Sequence, residues 1–325
     1  MVSKKKIQWI LPIILFVFTF ISSGCGSVTK EVISSNSKKS VINIGYQKAS
    51  VLSVLKVRGD LEKKFSSQGI KVKWFEFSTG LQLLEALNTG NIDIGNAGDA
   101  PSIFAQAKGL KLLYAASEPA SPESEGILVP SNSSIKSIQD LKGKKVAYAK
   151  ASISQYLLVQ TLAKAGLTIN DVTSVHLAPP DARAAFEGGN VDAWVVWDPF
   201  FTVTEASGAR IVSTAKGIVS YNSFYLANQD FAKNNAAELE IAINELRNTA
   251  DWMNKNRSEV AKLLSKDSGL PISVWEKILE RKKYGANPVS QEVVAEQERI
   301  VKTFLELKLI DTPINVKDSV WHSKN

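Results

Sequence analysis

The sequence predicts an α/β protein of two lobes, and three observations carry that prediction. From Val41 onward, short β-rich runs alternate with segments of helical period. The alternation is broken at Pro119 and Pro122 and then resumes, and beyond Ala237 the chain is mostly helical. With 325 residues and 44% hydrophobic content, the chain can bury a sizeable core or two lobes of roughly 100 to 200 residues each.

The elements follow in order. Residues 41–46 read as a strand, 52–65 as a helix, 71–77 as a strand, 81–87 as a helix and 92–95 as a strand; a helix starting near Pro101 and a strand at 110–116 complete a first group. After the proline-marked segment 118–124, a strand at 126–129 opens a second group. It continues through strand 145–149, helix 155–165, strand 172–177, helix 181–186 and strands 191–196 and 211–213. A strand at 223–227 carries the chain back, and helices are expected at 237–254, 258–265, 271–281 and 291–307. Leaving one lobe, building another and returning gives two crossings and an interlobe cleft. The expected division is 41–125 plus 224–325 for lobe 1 and 126–223 for lobe 2.

The N-terminus has a different character. Lys4, Lys5 and Lys6 precede an apolar run of 15 residues, 7–21, which is short for a bilayer span, and Ser22-Ser23-Gly24 precede the single cysteine, Cys25. Residues 1–24 are expected to be a signal segment. Residues 25–40 read as a flexible tether reaching on the order of 20 Å. With one cysteine, no disulfide can form within the chain. Removing 1–24 takes away three lysines, so the charge of +7 (39 minus 32) becomes +4 (36 minus 32). That mild positive balance, without an arginine-rich stripe, suits small anions or an anionic surface better than nucleic acid.

Several runs then resemble a known family. The pattern at Lys4 to Cys25 is similar to a bacterial lipoprotein signal, which would make Cys25 the lipidated first residue. Gly45-Tyr46-Gln47-Lys48, Trp74-Phe75-Glu76-Phe77 with Gly80, and Gly98-Asp99-Ala100-Pro101 resemble solute-binding lipoproteins of ABC importers in the aliphatic sulfonate, taurine and nitrate family. So do Asp140-Leu141-Lys142-Gly143 and the run from Ala178 through Trp197-Asp198-Pro199-Phe200. The wording at Asp181 to Phe186 and Val191 to Trp194 is closest to the aliphatic sulfonate branch. The resemblance implies a type II periplasmic-binding-protein-like fold, each lobe a mostly parallel sheet flanked by helices. It also implies a permease and its ATPase as partners, a monomer on the outer face of the cell membrane, and neither cofactor nor metal.

A sulfonate is a permanent anion with three acceptor oxygens, so its site needs converging donors, which helix N-termini supply. Thr79 and Gly80 stand before one predicted helix, Asp99 before another, and Ser152, Ser154 and Gln155 at the start of a third. Plain helix capping is the competing reading for the first two. Tyr46 and Gln47, after the first strand, are cleft candidates. Trp194 and Trp197 lie on opposite faces of one strand, and either is a candidate wall for the organic end. Asp198 or Glu118 would pair with an amine if the ligand carried one. An enzyme reading has little to stand on, because His176 and His322 are far apart and no phosphate loop or nucleophile elbow occurs.

Overall fold

The computed structural model describes residues 39–323. The expected signal segment, Cys25 and nearly all of the tether lie outside the described residues. The body begins with β1 (Val41–Tyr46), α1 (Val51–Arg58), α2 (Asp60–Ser66), β2 (Lys71–Glu76), α3 (Gly80–Asn88), β3 (Ile94–Gly98), α4 (Asp99–Ala107) and β4 (Leu112–Ser117). A second series follows: β5 (Glu125–Val129), β6 (Lys145–Tyr148), α5 (Ile153–Lys164), β7 (Thr173–His176), α6 (Pro179–Glu187), β8 (Ala193–Trp197), α7 (Phe200–Ala206) and β9 (Arg210–Thr214). The return is β10 (Ser223–Asn228), then α8 (Gln229–Asn234), α9 (Ala236–Lys255), α10 (Arg257–Ser268), α11 (Ile272–Arg281) and α12 (Gln291–Glu306).

These strands form two sheets of the same plan, ordered β2-β1-β3-β10-β4 and β7-β6-β8-β5-β9. β1 pairs in parallel with β2 and β3, and β6 with β7 and β8. β10 runs antiparallel to β3 and β4, and β5 antiparallel to β8 and β9. Each sheet therefore holds four strands of one direction plus one reversed strand, and the reversed strand is the one that has just crossed from the other lobe. The crossings touch: Glu118 N–H donates to Ser223 O at 2.8 Å and Ser121 N–H to Tyr221 O at 3.1 Å.

Local sequence accounts for most element ends. The helix expected over 52–65 is two helices, because Gly59 takes φ +66° and its N–H closes on Leu55 O and Lys56 O. The strand expected at 92–95 starts at Ile94 and runs to Gly98, since Asn91 and Ile92 still bond to Ala86 O at the end of α3. Sequence reading missed α7, whose Phe200-Phe201-Thr202-Val203-Thr204 is aromatic and β-branched. Asp198 starts it by accepting the Thr202 N–H at 3.0 Å. The short α8 was also missed.

Packing sets how closely helices approach the sheets. A Cβ on Gly45 would meet Ile92 Cδ1 at 2.4 Å, and one on Gly95 would meet Leu83 Cδ2 at 2.5 Å. Glycine there lets Leu83 of α3 lie against the strands, a burial that contributes about 2 kcal/mol. On the opposite face of the same sheet α1, α9, α10 and α11 bury Leu55, Leu246, Leu264 and Ile278 together. Phe304 of α12 stacks on Phe104 of α4 at 4.7 Å and meets Tyr156 of α5 edge-on at 5.3 Å, joining the two lobes on that side.

Candidate ligand-binding cleft

The carboxyl ends of β1, β3, β6 and β8 open on one cavity, the usual ligand position in open α/β sheets. It encloses about 620 Å³ of empty space, open solvent at its mouth included. One lobe contributes Gln47, Lys48, Ala49, Ser50, Gly80 and Asn96, and the other Ser152, Ile153, Trp197 and Asp198. Ser124 and Tyr221 come from the crossings, and Lys282 follows α11.

Two loops in this cavity are built alike. After β1 the chain reads Tyr46-Gln47-Lys48-Ala49-Ser50, and after the equivalent β6 it reads Tyr148-Ala149-Lys150-Ala151-Ser152. In each, the alanine is left-handed, at φ +60° for Ala49 and +52° for Ala151, and the serine caps the next helix. Ser50 Oγ donates to Gln47 O at 2.6 Å and accepts the Ser53 N–H at 3.2 Å. Ser152 Oγ donates to Ala149 O at 2.6 Å and accepts the Gln155 N–H at 3.3 Å. A left-handed alanine costs about 1 to 2 kcal/mol, so both turns are held strained by their surroundings. Ser50 at the N-terminus of α1 and Ser152 and Ile153 at that of α5 line the cavity, one helix from each lobe, and the N-terminal N–H groups of a helix have no partner earlier in it. This repeat of Tyr-x-Lys-Ala-Ser was visible in the sequence and passed over.

The structure brings Gln47, Gly80, Ser152, Trp197 and Asp198 of the expected residues together at the cavity wall. It sets the others behind that wall or away from it. Ser154 is fully buried, donating to Glu125 Oε1 at 2.7 Å, and Gln155 Oε1 accepts the Ala151 N–H at 2.7 Å, pinning the strained turn. Thr79 caps α3 through the Gln82 N–H at 3.5 Å. Asp99 is fully buried; Oδ1 accepts from Ala100 N–H at 2.7 Å and Oδ2 from Asn222 N–H at 3.1 Å, tying α4 to the second crossing. Burial pushes its carboxyl up to about 7, against those bonds.

Glu118 Oε1 accepts from the Tyr225 hydroxyl at 2.6 Å, and its Oε2 forms an ion pair with Lys282 Nζ at 2.6 Å. Tyr46 is buried in the core, its hydroxyl on Glu76 Oε2 at 3.2 Å and its ring edge-on to Trp74 at 6.1 Å. Of the two tryptophans, Trp194 is core, 1% exposed between Phe186 and Phe200, and the half-buried Trp197 faces the cleft. Sequence reasoning missed Ser50, Ser124, Tyr221 and Lys282. Tyr221 is a third non-glycine residue with positive φ at this cavity, at +56°.

The lobes also meet beside the cleft. Glu205 of α7 accepts from Lys277 Nζ at 2.7 Å and Arg281 Nη2 at 2.6 Å, both on α11. Arg281 Nη1 donates to Thr202 Oγ1 at 2.7 Å, and Thr202 in turn to Asp198 Oδ1 at 2.6 Å. Among the described residues no group of three or more His, Cys, Asp or Glu is placed to hold a metal, and no helix is long and apolar enough to cross a membrane.

Comparison with known proteins agrees with this geometry. Residues 64–260 match the family described as NMT1/THI5 like. A protein of Escherichia coli (strain K12) named an aliphatic sulfonates-binding protein is 39% identical over 302 residues, covering 92% of this chain and 94% of the relative. One of the same name in Bacillus subtilis (strain 168) is 32% identical, over 95% of this chain and 93% of that one. The alkanesulfonate-binding protein SsuA of Xanthomonas axonopodis pv. citri, solved with MOPS bound, superposes with a TM-score of 0.84 at 37% identity, over 87% of this chain and 99% of that one.

Proposed function

This chain belongs to the NMT1/THI5-like family, and we propose from that premise that it is the extracytoplasmic solute-binding component of an ABC importer. Its two lobes close on an aliphatic sulfonate, for uptake as a sulfur source. The observation that carries this reading is the pair of strained, serine-capped helix N-termini facing one cavity from opposite lobes. Their N–H groups point along the axis of a favourable dipole toward the negative end of the ligand. Both serine hydroxyls already donate to backbone carbonyls, so backbone N–H groups, and not hydroxyls, receive the sulfonate oxygens. Three or four charge-assisted bonds at ~1.5 to 3 kcal/mol each, less ordering costs, are compatible with a Kd in the micromolar range, near about −8 kcal/mol.

Residues 41–125 with 224–325, and 126–223, act as the moving lobes, with the paired crossings as hinge. Support for that division is that the sheet ladders stop at Ser117 and Thr214 and restart at Glu125 and Ser223, each restart within one residue of those bounds. Trp197 forms the wall for the organic end. The protein works as a monomer held to the membrane through lipid on Cys25, and the closed form is what the permease and its ATPase receive.

The relatives are binding proteins, and turnover of the ligand is not expected. Titration calorimetry of the full chain in mild detergent against alkanesulfonates of rising length, sulfate and nitrate tests the reading. Selective binding of alkanesulfonates is expected, and heat from none of them, or from inorganic anions alone, removes the sulfonate assignment.

A further inference from the structure

The cleft wall at the crossings holds more carboxylates than cations. Asp198, which lines the cavity, and Glu125, Glu118 and Asp99 behind it are all buried, and the hydroxyl of cavity-lining Tyr221 lies in the field of all four. They are tied to different elements: Asp198 Oδ1 to Thr202 on α7, Glu125 Oε1 to Ser154 on α5, and Asp99 to the N–H groups of Ala100 on α4 and Asn222 in the second crossing. Asp198 Oδ2 and Glu125 Oε2 are buried with no partner.

The charges facing this cluster leave it under-compensated. Lys282 is ion-paired with Glu118 at 2.6 Å, and Arg281, which acts on Asp198 through space, is held by Glu205 and Thr202. Lys48 pairs with Glu76 at 3.5 Å, and Glu296 of α12 adds a negative charge behind Asp99. The phenols of Tyr114, Tyr156, Tyr225 and Tyr284 are raised by burial and then by these carboxylates, so they stay neutral. Burial without a matching cation disfavours the charged form of a carboxyl. It pushes Asp198 up to about 6, Asp99 to about 7 and Glu125 to about 8, which leaves the cluster part protonated near neutral pH.

A sulfonate keeps its charge throughout this range, and once seated it adds a negative charge beside carboxyls that are already poorly compensated. We propose that this wall couples capture of the anion to uptake of a proton by the carboxyl cluster, so that the protein holds its ligand more tightly as the surroundings become acid. The proposal rests on the sulfonate-receptor reading. No contact between ligand and carboxyl is needed, because charges act across a wall from which water is excluded. The sign follows from linkage. A carboxyl whose pKa the ligand raises gains a proton on binding, so affinity is greatest where the cluster is protonated with or without ligand. It falls as pH rises through the interval between the ligand-free and ligand-bound values. The protons belong to the coupled cluster rather than to one residue.

Titration calorimetry of propane-1-sulfonate on the full chain in mild detergent, from pH 5.5 to pH 8.5, reads the affinity. Repetition at pH 7 in buffers of different ionisation enthalpy counts the protons. Kd is expected to rise about tenfold over that range, with roughly half a proton taken up per ligand at pH 7. Asp198→Asn keeps an acceptor for Thr202 and Glu125→Gln keeps one for Ser154; either should shrink both effects and the two together should remove most of them, with folding checked by the melting temperature. His176 of β7, held below its usual value by burial and by Lys150, also titrates in this range, and His176→Gln should leave both effects in place. A Kd that is constant with pH, or no proton uptake by the parent protein, overturns the proposal and leaves the receptor reading intact. So does a trend that persists undiminished in the folded variants or disappears in His176→Gln. Binding of no sulfonate at any pH removes the receptor reading and the proposal together.

Discussion

Replacing Glu125 by Gln should flatten the dependence of stability on pH. Glu125 opens β5 with no exposed surface; its Oε1 accepts from Ser154 Oγ at 2.7 Å and its Oε2 has no partner. Burial pushes this carboxyl up to about 8 from 4.5, opposed by the Ser154 bond and helped by the charge of Asp99. Between those two values the folded protein holds a proton that the unfolded chain has released. The contribution to stability is therefore complete below the unfolded value and is lost as pH rises through the folded one, at up to about 1.4 kcal/mol per pH unit. In a protein of this size that slope is about 2 to 3 °C in melting temperature per pH unit. Gln keeps an acceptor for Ser154 and cannot titrate. Asp99, raised to about 7 by the same burial, has the same sign and is present in both proteins, so it adds to the slope of each curve and enters their difference only through its coupling to Glu125. Scanning calorimetry of the two ligand-free proteins from pH 5 to pH 8 should show Glu125→Gln gaining on the parent as pH rises. Parallel curves would refute the argument that Glu125 is protonated in the folded state at neutral pH.

Three further outcomes are expected. Glu205→Gln removes the charge that Lys277 and Arg281 share across the lobes, and sulfonate affinity should fall about fivefold, or ~1 kcal/mol, by calorimetry; unchanged affinity would mean the pairs do not favour closure. Ala151→Gly relieves a residue at φ +52° and should raise the melting temperature by about 1 to 2 °C, whereas a fall would show that the turn is unstrained. Gly45→Ala sets a Cβ at 2.4 Å from Ile92 Cδ1 and should cost about 1 to 3 kcal/mol in urea unfolding, with full stability retained being the contrary result.

The chain's local patterns carried a good deal. Periodicity alone separates β1 from α3 and β6 from α5, because each element must bury one face and its residues repeat at the spacing of that face. Gly59, which splits one expected helix, was also in plain view and was outweighed by the apolar spacing around it. The runs around Gly45, Gly98 and Trp197-Asp198-Pro199 were enough for the family, and they place the carboxyl ends of β1, β3 and β8 beside the cavity.

What each side chain does there was settled by contacts distant in sequence. Ser152 and Ser154 are two residues apart with the same hydroxyl, yet one caps α5 at the cavity and the other is turned onto Glu125, 29 residues away. Trp194 and Trp197 occupy opposite faces of β8, and only the packing of Phe186 and Phe200 decides which face is core. Ser124 and Tyr221 reach the cleft because they lie in the crossings that lead into the reversed strands β5 and β10, and Lys282 because α11 ends beside it. The sequence by itself thus determined most of the elements, their order and the family, since these depend on neighbours along the chain. Only the tertiary structure decided which hydroxyls, carboxylates and aromatic rings face the cleft, because that depends on what the other lobe and the two crossings leave uncovered.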